Sequence, residues 1–218
     1  MASTREGRPT RNREATEARI RDAVGRLLTK GGYEALGIAA VAREAGVDKV
    51  LIYRYFGGLS ELLQAFGSQS DVWPTLDEFA GGDTVALETL PPGQRMAKVL
   101  KNYGRELRKR PVALEILAWE LMEDSELTKI LNERRVAVSD EMVGLLTPGE
   151  SAEDDVDLQA IYALLGAGQL LLALWARRRP TYGGVGIRTD RDIERIEHAL
   201  DWLLDHIDQD QRDERNHS

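Results

Sequence analysis

The chain has 218 residues, of which 42% are hydrophobic and 30% charged, a balance typical of a folded globular protein with a sizeable core. It contains no cysteine, which excludes disulfides, thiolate metal ligands and cysteine nucleophiles. No apolar segment follows the first residues as it does in a secretory signal peptide, so we expect a cytoplasmic protein.

Charge is distributed unevenly along the chain. The net charge of −8, taken alone, argues against a nucleic-acid-binding protein. Residues 1–70, however, hold 11 Lys and Arg against 8 Asp and Glu, whereas the remaining 148 residues hold 18 against 29. A basic N-terminal part permits phosphate contact at one end of the molecule, and a charged, solvated tail explains the same numbers equally well.

Helical periodicity runs through nearly the whole chain. A first helix is predicted over residues 13–30, because apolar side chains recur there at the spacing of one helix face: Ile20, Ala23, Val24, Leu27 and Leu28. Short helices are predicted over residues 38–45 and 49–55, and a fourth begins near residue 59. No strand-like alternation of useful length is found. Longer helices are predicted over residues 94–110, 112–123, 126–146, 154–179 and 191–208.

The two short helices form a helix-turn-helix motif. They are joined through Gly46, where a sharp reversal of the chain requires positive φ. Asp48 is a good N-cap for the second short helix. Apolar side chains are expected to hold the two helices together: Val41, Ala42, Val47, Ile52 and Phe56.

This packing leaves one side of the second short helix exposed towards a DNA major groove. We expect Lys49, Val50, Tyr53 and Arg54 to face DNA there, with Arg43 on the preceding helix near the DNA backbone. Val50 contacts a thymine methyl group if it reaches a base edge. The alternative is a pair of core helices with no role in DNA binding.

Residues 16–66 resemble the DNA-binding domain of the TetR family. The resemblance rests on Gly32-Tyr33, Leu36-x-Ile38, Ala42-x-x-Ala45-Gly46-Val47, Tyr53-x-x-Phe56, and Leu62 or Leu63. It implies an all-α protein with an N-terminal three-helix DNA-binding domain and a C-terminal helical domain that binds ligand and dimerises. It also implies that the last two long helices form the dimer interface. The predicted domains span residues 13–72 and 73–210.

The resemblance assigns Tyr53 as a phosphate contact and supports DNA-facing positions for Lys49 and Arg54. The sequence departs from the family pattern in three places. Asp48 stands where Ser or Thr is usual, Val50-Leu51 where Gly followed by Thr is usual, and Leu59 where a phosphate-contacting Lys is common. Leu51 and Leu59 are therefore given no DNA contact.

A ligand cavity is expected on the central helices, where the family places its pocket. The candidate ligand-binding residues are Tyr103, Trp119, Glu120 and Met122. Ordinary core packing explains the aromatic side chains equally simply, and Glu120 then lies at the solvated edge of its helix. The effector is expected to be a small molecule of unknown identity, and no cofactor is expected.

The segment 160–176 is apolar apart from Gln169. Its 17 residues reach about 25 Å as a helix, which is short of a bilayer core of about 30 Å. We therefore expect a helix buried in the protein core or in a dimer interface, and no membrane contact. The small residues Gly166-Ala167-Gly168 permit close helix approach across a two-fold axis.

Nothing in the sequence indicates an enzyme. The only histidines are His198, His206 and His217, which suggest neither a metal site nor a catalytic triad. The predicted function is a ligand-responsive repressor that binds a near-palindromic operator as a homodimer. The alternatives are a helical protein-interaction module and an enzyme with an unrecognised carboxylate site.

Overall fold

The computed structural model describes residues 8–69, 71–122, 126–146 and 157–217. These residues are almost entirely helical, which confirms the all-α prediction. Two short strands, β1 (Thr181–Tyr182) and β2 (Val185–Gly186), form an antiparallel hairpin. The helices are α1 (Arg8–Gly31), α2 (Ile38–Ala45), α3 (Lys49–Phe56), α4 (Leu59–Gly67), α5 (Leu76–Ala80), α6 (Thr84–Glu88), α7 (Pro92–Lys109), α8 (Pro111–Glu120), α9 (Glu126–Leu146), α10 (Leu158–Ala176) and α11 (Asp190–His217).

The chain forms two compact units, and the first is discontinuous in sequence. Unit 1 contains residues 1–73 and 111–134, so its helices are α1 to α4, α8 and the first part of α9. Helix α1 packs against α2, α4 and α8. The apolar stripe predicted for α1 is confirmed, because Ile20, Ala23, Val24 and Leu28 are fully buried.

A close approach of α4 to α9 secures the end of the DNA-binding segment within unit 1. Gly67, the last residue of α4, is buried against Leu131, and a Cβ there would lie 3.0 Å from the Leu131 carbonyl oxygen and 3.2 Å from its Cα. The same carbonyl accepts a 2.9 Å hydrogen bond from the buried indole of Trp73. The neighbouring atoms belong to the Leu131 backbone, which cannot move aside as a flexible side chain can. Only glycine therefore fits at this position without displacing α9.

Unit 2 contains residues 74–110 and 135–218, and α7 is its central helix. Helices α5, α10 and α11 all pack against α7. Arg95 is buried and donates hydrogen bonds to three carbonyl oxygens, those of Glu88, Leu90 and Leu145. The core of the unit is formed by Phe79, Ala80, Leu87, Met96, Ala97, Val99, Leu100, Val138, Met142, Leu146, Leu158, Leu200 and Leu204.

A second arginine of unit 2 lies between two carboxylates. The Arg110 guanidinium donates to Glu78 at 2.6 Å and to Glu106 at 2.5 Å. Burial by itself raises the pKa of both carboxyl groups, but hydrogen bonds outweigh that effect and lower both pKa values overall. For Glu106 these bonds come from Lys109 and Arg110, and for Glu78 from Thr75 and Arg110.

Several predicted boundaries were wrong. Helix α1 begins at Arg8 rather than residue 13, α10 ends at Ala176 rather than residue 179, and α11 continues to His217 rather than ending at residue 208. The predicted start of α10 at residue 154 lies outside the described residues. Helix ends, short helices and hairpins are set by local capping and turn geometry. Hydrophobic periodicity carries no information about that geometry.

Candidate nucleic-acid interface

The turn between α2 and α3 has the geometry that the sequence predicted. Gly46 adopts a left-handed conformation with φ of 64°, and the amide of Val47 donates to the carbonyl of Ala42 at 3.0 Å. The left-handed glycine and this hydrogen bond end α2 at Ala45 and lead the chain directly into α3. The facing residues Val41, Ala42 and Ile52 are buried, so the pair of helices is held by an apolar contact.

Asp48 caps α3, as predicted. Its side chain accepts a 2.8 Å hydrogen bond from the amide of Val50. The cap satisfies one of the free amides at the start of the helix and fixes where the helix begins. The carboxylate itself is exposed at the same end of α3 as the predicted DNA contacts.

The exposed side chains of α3 lie on one side of the helix. Lys49, Val50, Tyr53 and Arg54 are all exposed, and at 100° per residue they span an arc of about 140°. Ile52, on the other side, is fully buried. One face of α3 is therefore available to a partner while the other anchors the helix. Arg43 of α2 is also exposed.

The guanidinium groups of two arginines contact the Tyr55 ring, and the sequence analysis did not predict these contacts. The guanidinium of Arg54 lies 4.9 Å from the Tyr55 ring centroid and donates to its hydroxyl at 3.0 Å. The guanidinium of Arg13, on α1, lies 5.1 Å from the same ring. Cation–π contacts therefore bring both guanidinium groups to one ring, although Arg13 is also paired with Glu17 at 2.6 Å. No local sequence signal joins Arg13 to Tyr55, because the contact depends on how α1 packs.

Glu44 links α2 to α1 through two cations. It accepts hydrogen bonds from Arg26 at 2.8 Å and from Lys30 at 3.1 Å. The hydrogen bonds from Arg26 and Lys30 lower the pKa of Glu44. The pairs are exposed, so they orient α2 on α1 more than they stabilise it.

The motif falls within a segment that matches a known family. Residues 20–66, which include α2, α3 and most of α4, match the family described as "Bacterial regulatory proteins, tetR family". These residues form a DNA-binding segment of the tetR type. The family predicted from the sequence is thereby confirmed, and the exposed face of α3 belongs to a DNA-binding motif.

Two curated proteins resemble the chain over most of its length. It is 26% identical over 174 residues to the HTH-type transcriptional repressor KstR of Mycobacterium tuberculosis, covering 79% of this chain and 76% of that protein. It is 27% identical over 174 residues to KstR of Mycolicibacterium smegmatis, covering 79% of this chain and 82% of that protein. The similarity therefore extends well beyond the DNA-binding segment.

A solved structure shares the fold of the chain. It is the transcriptional regulator FadR from Bacillus subtilis in complex with stearoyl-CoA, with a TM-score of 0.60 and 18% sequence identity. The match covers 86% of this chain and 96% of that one. It confirms the predicted combination of an N-terminal helix-turn-helix and a helical C-terminal part.

The four residues predicted to bind ligand belong to different units. Tyr103 belongs to unit 2, where its ring meets Phe79 edge-on with centroids 5.6 Å apart. Trp119, in unit 1, stacks on Tyr33 with centroids 3.5 Å apart. Glu120 is the last residue of α8, and Met122 just beyond it is 85% exposed.

A pocket in unit 1 contains none of these four residues among its lining. It has a volume of about 410 Å³ and opens on the surface beside α1. Its lining includes Arg26, Lys30, Phe66 and Val112. The ligand-binding roles of the four residues stay predictions.

Helices α10 and α11 of unit 2 carry an exposed apolar surface, which we call the α10–α11 face. It consists of Leu164, Leu171 and Trp175 on α10 and Trp202 and Leu203 on α11, all exposed. The α10 residues follow the spacing of one helix face. Among the described helices, α10 is long and apolar enough to cross a membrane by length and composition, and only 17% of its most apolar window is buried.

Proposed function

We propose that this chain is a ligand-responsive repressor that binds a near-palindromic operator as a homodimer. The observation that carries the proposal is the exposed face of α3, presented by a capped and anchored helix within a TetR-family segment. Repression follows if the bound dimer occludes the promoter. The KstR relatives are named transcriptional repressors, which supports repression rather than activation. The chain acts in the cytoplasm and has no enzymatic role.

On the DNA side, Lys49 and Val50 read base edges and Tyr53 contacts phosphate. Lys49 and Val50 lie at the N-terminal end of α3, the end that enters the major groove in helix-turn-helix proteins. Arg54 and Arg43 add phosphate contacts at the margins of the motif. Arg54 has to leave or share its contact with the Tyr55 ring to reach DNA.

The homodimer forms through the α10–α11 face. Five large apolar side chains are exposed on these two helices, and a large exposed apolar patch marks an interaction site. Small residues on the same helix, Ala160 and Ala167, are exposed and permit close approach of a second α10. A two-fold dimer places two recognition helices about 34–36 Å apart, which is one turn of DNA. A lipid surface is the competing partner for this face.

A small-molecule effector controls DNA binding by linkage. An effector that prefers one separation of the two DNA-binding units shifts the population towards that separation, and DNA lowers the affinity for effector by the same factor. The stearoyl-CoA bound to the Bacillus subtilis regulator supports an effector with an acyl chain. The two alternative functions, an interaction module and an enzyme, have no comparable observation in their favour.

The first test is a titration of the purified protein against the DNA that flanks its own gene, by fluorescence anisotropy at two salt concentrations. A random duplex is the control. Selective binding with a stoichiometry of two chains per site supports the proposal. Binding no tighter than to the random duplex, with and without added acyl ligands, would exclude an operator in this DNA and favour the interaction module.

A pair of variants then separates positioning from base reading. Tyr53→Phe should weaken binding to matched and mismatched operators equally, because a phosphate contact carries no sequence information. Lys49→Ala should instead change the preference among operators by about 1–3 kcal/mol for the base it reads. Equal losses on all operators for Lys49→Ala would remove the base-reading role.

A further inference from the structure

One arginine in unit 2 has a buried guanidinium edge without an acceptor. Arg108, near the C-terminal end of α7, donates from Nη1 to the carbonyl of Gly104 at 2.8 Å. Its Nε and Nη2 are buried and have no acceptor among the residues that the structure describes. Unpaired buried donors on a charged group are costly, so their retention needs an explanation.

The other buried arginines of unit 2 are arranged differently. Arg95 uses both terminal nitrogens on backbone carbonyls and Arg110 uses both on carboxylates, so in each of them only Nε is buried without an acceptor among the described residues. Arg108 uses one terminal nitrogen only. Packing of a long side chain therefore does not by itself leave this edge unpaired.

The nearest buried carboxylate is already occupied. Glu197 of α11 is only 7% exposed, and its two oxygens accept from Nε and Nη2 of Arg105 at 2.6 and 2.5 Å. Burial lowers the pKa of Arg108, and the charge of Glu197 only partly opposes this. Two guanidinium groups thus share one buried carboxylate, which leaves one positive charge uncompensated.

A polar side chain lies beside Arg108 on the otherwise apolar α10. Gln169 is 4% exposed, and its Oε1 lies 2.5 Å from the position that a Cβ on Gly104 would occupy. Nη1 of Arg108 lies 3.0 Å from the same position. The missing side chain of Gly104 therefore makes the space in which the amide and the guanidinium meet.

We propose that Arg108 binds the carboxylate of the effector. The Nε and Nη2 atoms form the side of the guanidinium that donates two parallel hydrogen bonds to the two oxygens of a carboxylate. The effector is accordingly an organic acid, and the mostly apolar sequence of α10, which carries Gln169 beside Arg108, favours an apolar body. This inference rests on the proposed ligand-responsive function and names the chemical class of its ligand.

The test uses the full chain and a series of probes: hexanoate, decanoate and hexadecanoate, each compared with the primary alcohol of the same length. Binding is measured by the shift of the thermal unfolding midpoint and by calorimetry. The variants are Arg108→Met, which removes the charge and keeps the volume, and Arg108→Lys, which keeps the charge and loses the two-pronged geometry. Lys109→Met, at an exposed neighbouring position, is the control.

At least one acid should raise the midpoint of the wild-type protein, and its alcohol should not. Arg108→Met should weaken acid binding at least about 30-fold, as expected for loss of one partner of a buried charge pair. Arg108→Lys should bind the acid with an affinity between those of Arg108→Met and the wild type. Lys109→Met should bind the acid as tightly as the wild type. Without ligand, Arg108→Met should unfold about 2–4 °C higher, because it removes a buried unpaired charge.

Three results would overturn the proposal. They are no response of the wild-type protein to any acid, equal acid binding by Arg108→Met, and a lower unfolding midpoint of ligand-free Arg108→Met. The last result would make Arg108 a structural residue. Operator binding is measured in parallel without ligand. Its absence in the wild type counts against the proposed repressor function and leaves the acid-binding comparison readable.

Discussion

The sharpest prediction concerns Leu164, the most exposed residue of the α10–α11 face. Its side chain is 74% exposed, so replacement by lysine in a single chain meets solvent and disturbs no core contact. If the face binds a second copy, the same replacement places a charge inside the interface of both copies. Leu164→Lys should therefore leave the fold intact and weaken dimerisation.

The size of the effect follows from the exposed apolar surface. Full burial of a leucine side chain contributes about 1.5–3 kcal/mol, so a residue with 74% of its surface still exposed has about 1–2 kcal/mol left to gain. Two-fold symmetry doubles this to about 2–4 kcal/mol, or a roughly 30- to 700-fold weaker dimer. An unpaired lysine charge in the interface adds to the loss.

Analytical ultracentrifugation over a range of concentrations from nanomolar to micromolar measures the dimer dissociation constant directly. Val85→Lys is the matched control, because Val85 is 72% exposed in the same unit but lies on α6, away from the α10–α11 face. Circular dichroism checks that both variants fold. The control should dimerise and bind operator like the wild type.

Two outcomes would refute the reasoning. One is a Leu164→Lys protein that dimerises as tightly as the Val85→Lys protein, since the face would then not be the interface. The other is a wild-type monomer that binds operator at every concentration. Wild-type protein that instead partitions onto lipid vesicles, with Leu164→Lys remaining in solution, would assign the face to a membrane.

Three further predictions address stability and the helix cap. Gly67→Ala should lower the free energy of unfolding by about 1–2 kcal/mol in urea titrations, because the added Cβ clashes with the Leu131 backbone. Gly144→Ala, with open space around it, should raise the free energy of unfolding by about 0.5–1 kcal/mol. Equal effects of the two substitutions would contradict the close approach of α4 to α9. Asp48→Ser should keep the cap and the stability while tightening binding to every duplex by anisotropy, whereas Asp48→Ala should lose about 0.5–2 kcal/mol of stability. The two carboxylates beside Arg110 have lowered pKa values, so they stabilise the fold above their unfolded pKa, and this is lost as pH falls through the folded pKa. Arg110→Met should therefore be less stable at pH 7 and lose less on acidification, and an unchanged acid limb would argue against the pairing.

The elements nearest the DNA-binding motif could be predicted well because their signals are local. Helix α2 has the predicted bounds, since Gly46 ends it by a conformation that favours glycine. Helix α3 begins where Asp48 caps it. The exposed face of α3 follows from helical periodicity once its apolar side is known.

Short elements were missed for the opposite reason. Helices α5 and α6 have five residues each, too few for an apolar period to show. Thr75 and Glu78 do form a reciprocal capping box at the start of α5, and Asp83 caps α6. These polar signals are present in the sequence, but they are short and stand next to Pro74, Gly81-Gly82 and Pro91-Pro92.

The candidate sites illustrate what sequence alone leaves out. The arrangement of Arg13 beside Tyr55 depends on the packing of α1, and the unpaired edge of Arg108 depends on which arginine Glu197 binds. In both cases the partner of a side chain is a residue far along the sequence, and several such partners are possible. Periodicity places Arg108 on the buried side of α7, four residues after Gly104, but it does not reveal a missing acceptor.

The discontinuous composition of unit 1 limits how its DNA-binding segment can be exchanged. Its core is completed by residues far along the chain, notably Ile116, Leu117 and Leu131, which are buried. During synthesis, the N-terminal segment must wait until α8 and the start of α9 have left the ribosome before its core can close. A gene fusion cut after residue 73 would transfer the recognition helix without part of the core that holds it. New operator specificities should therefore arise more readily by substitutions on α3 than by recombination of the N-terminal segment.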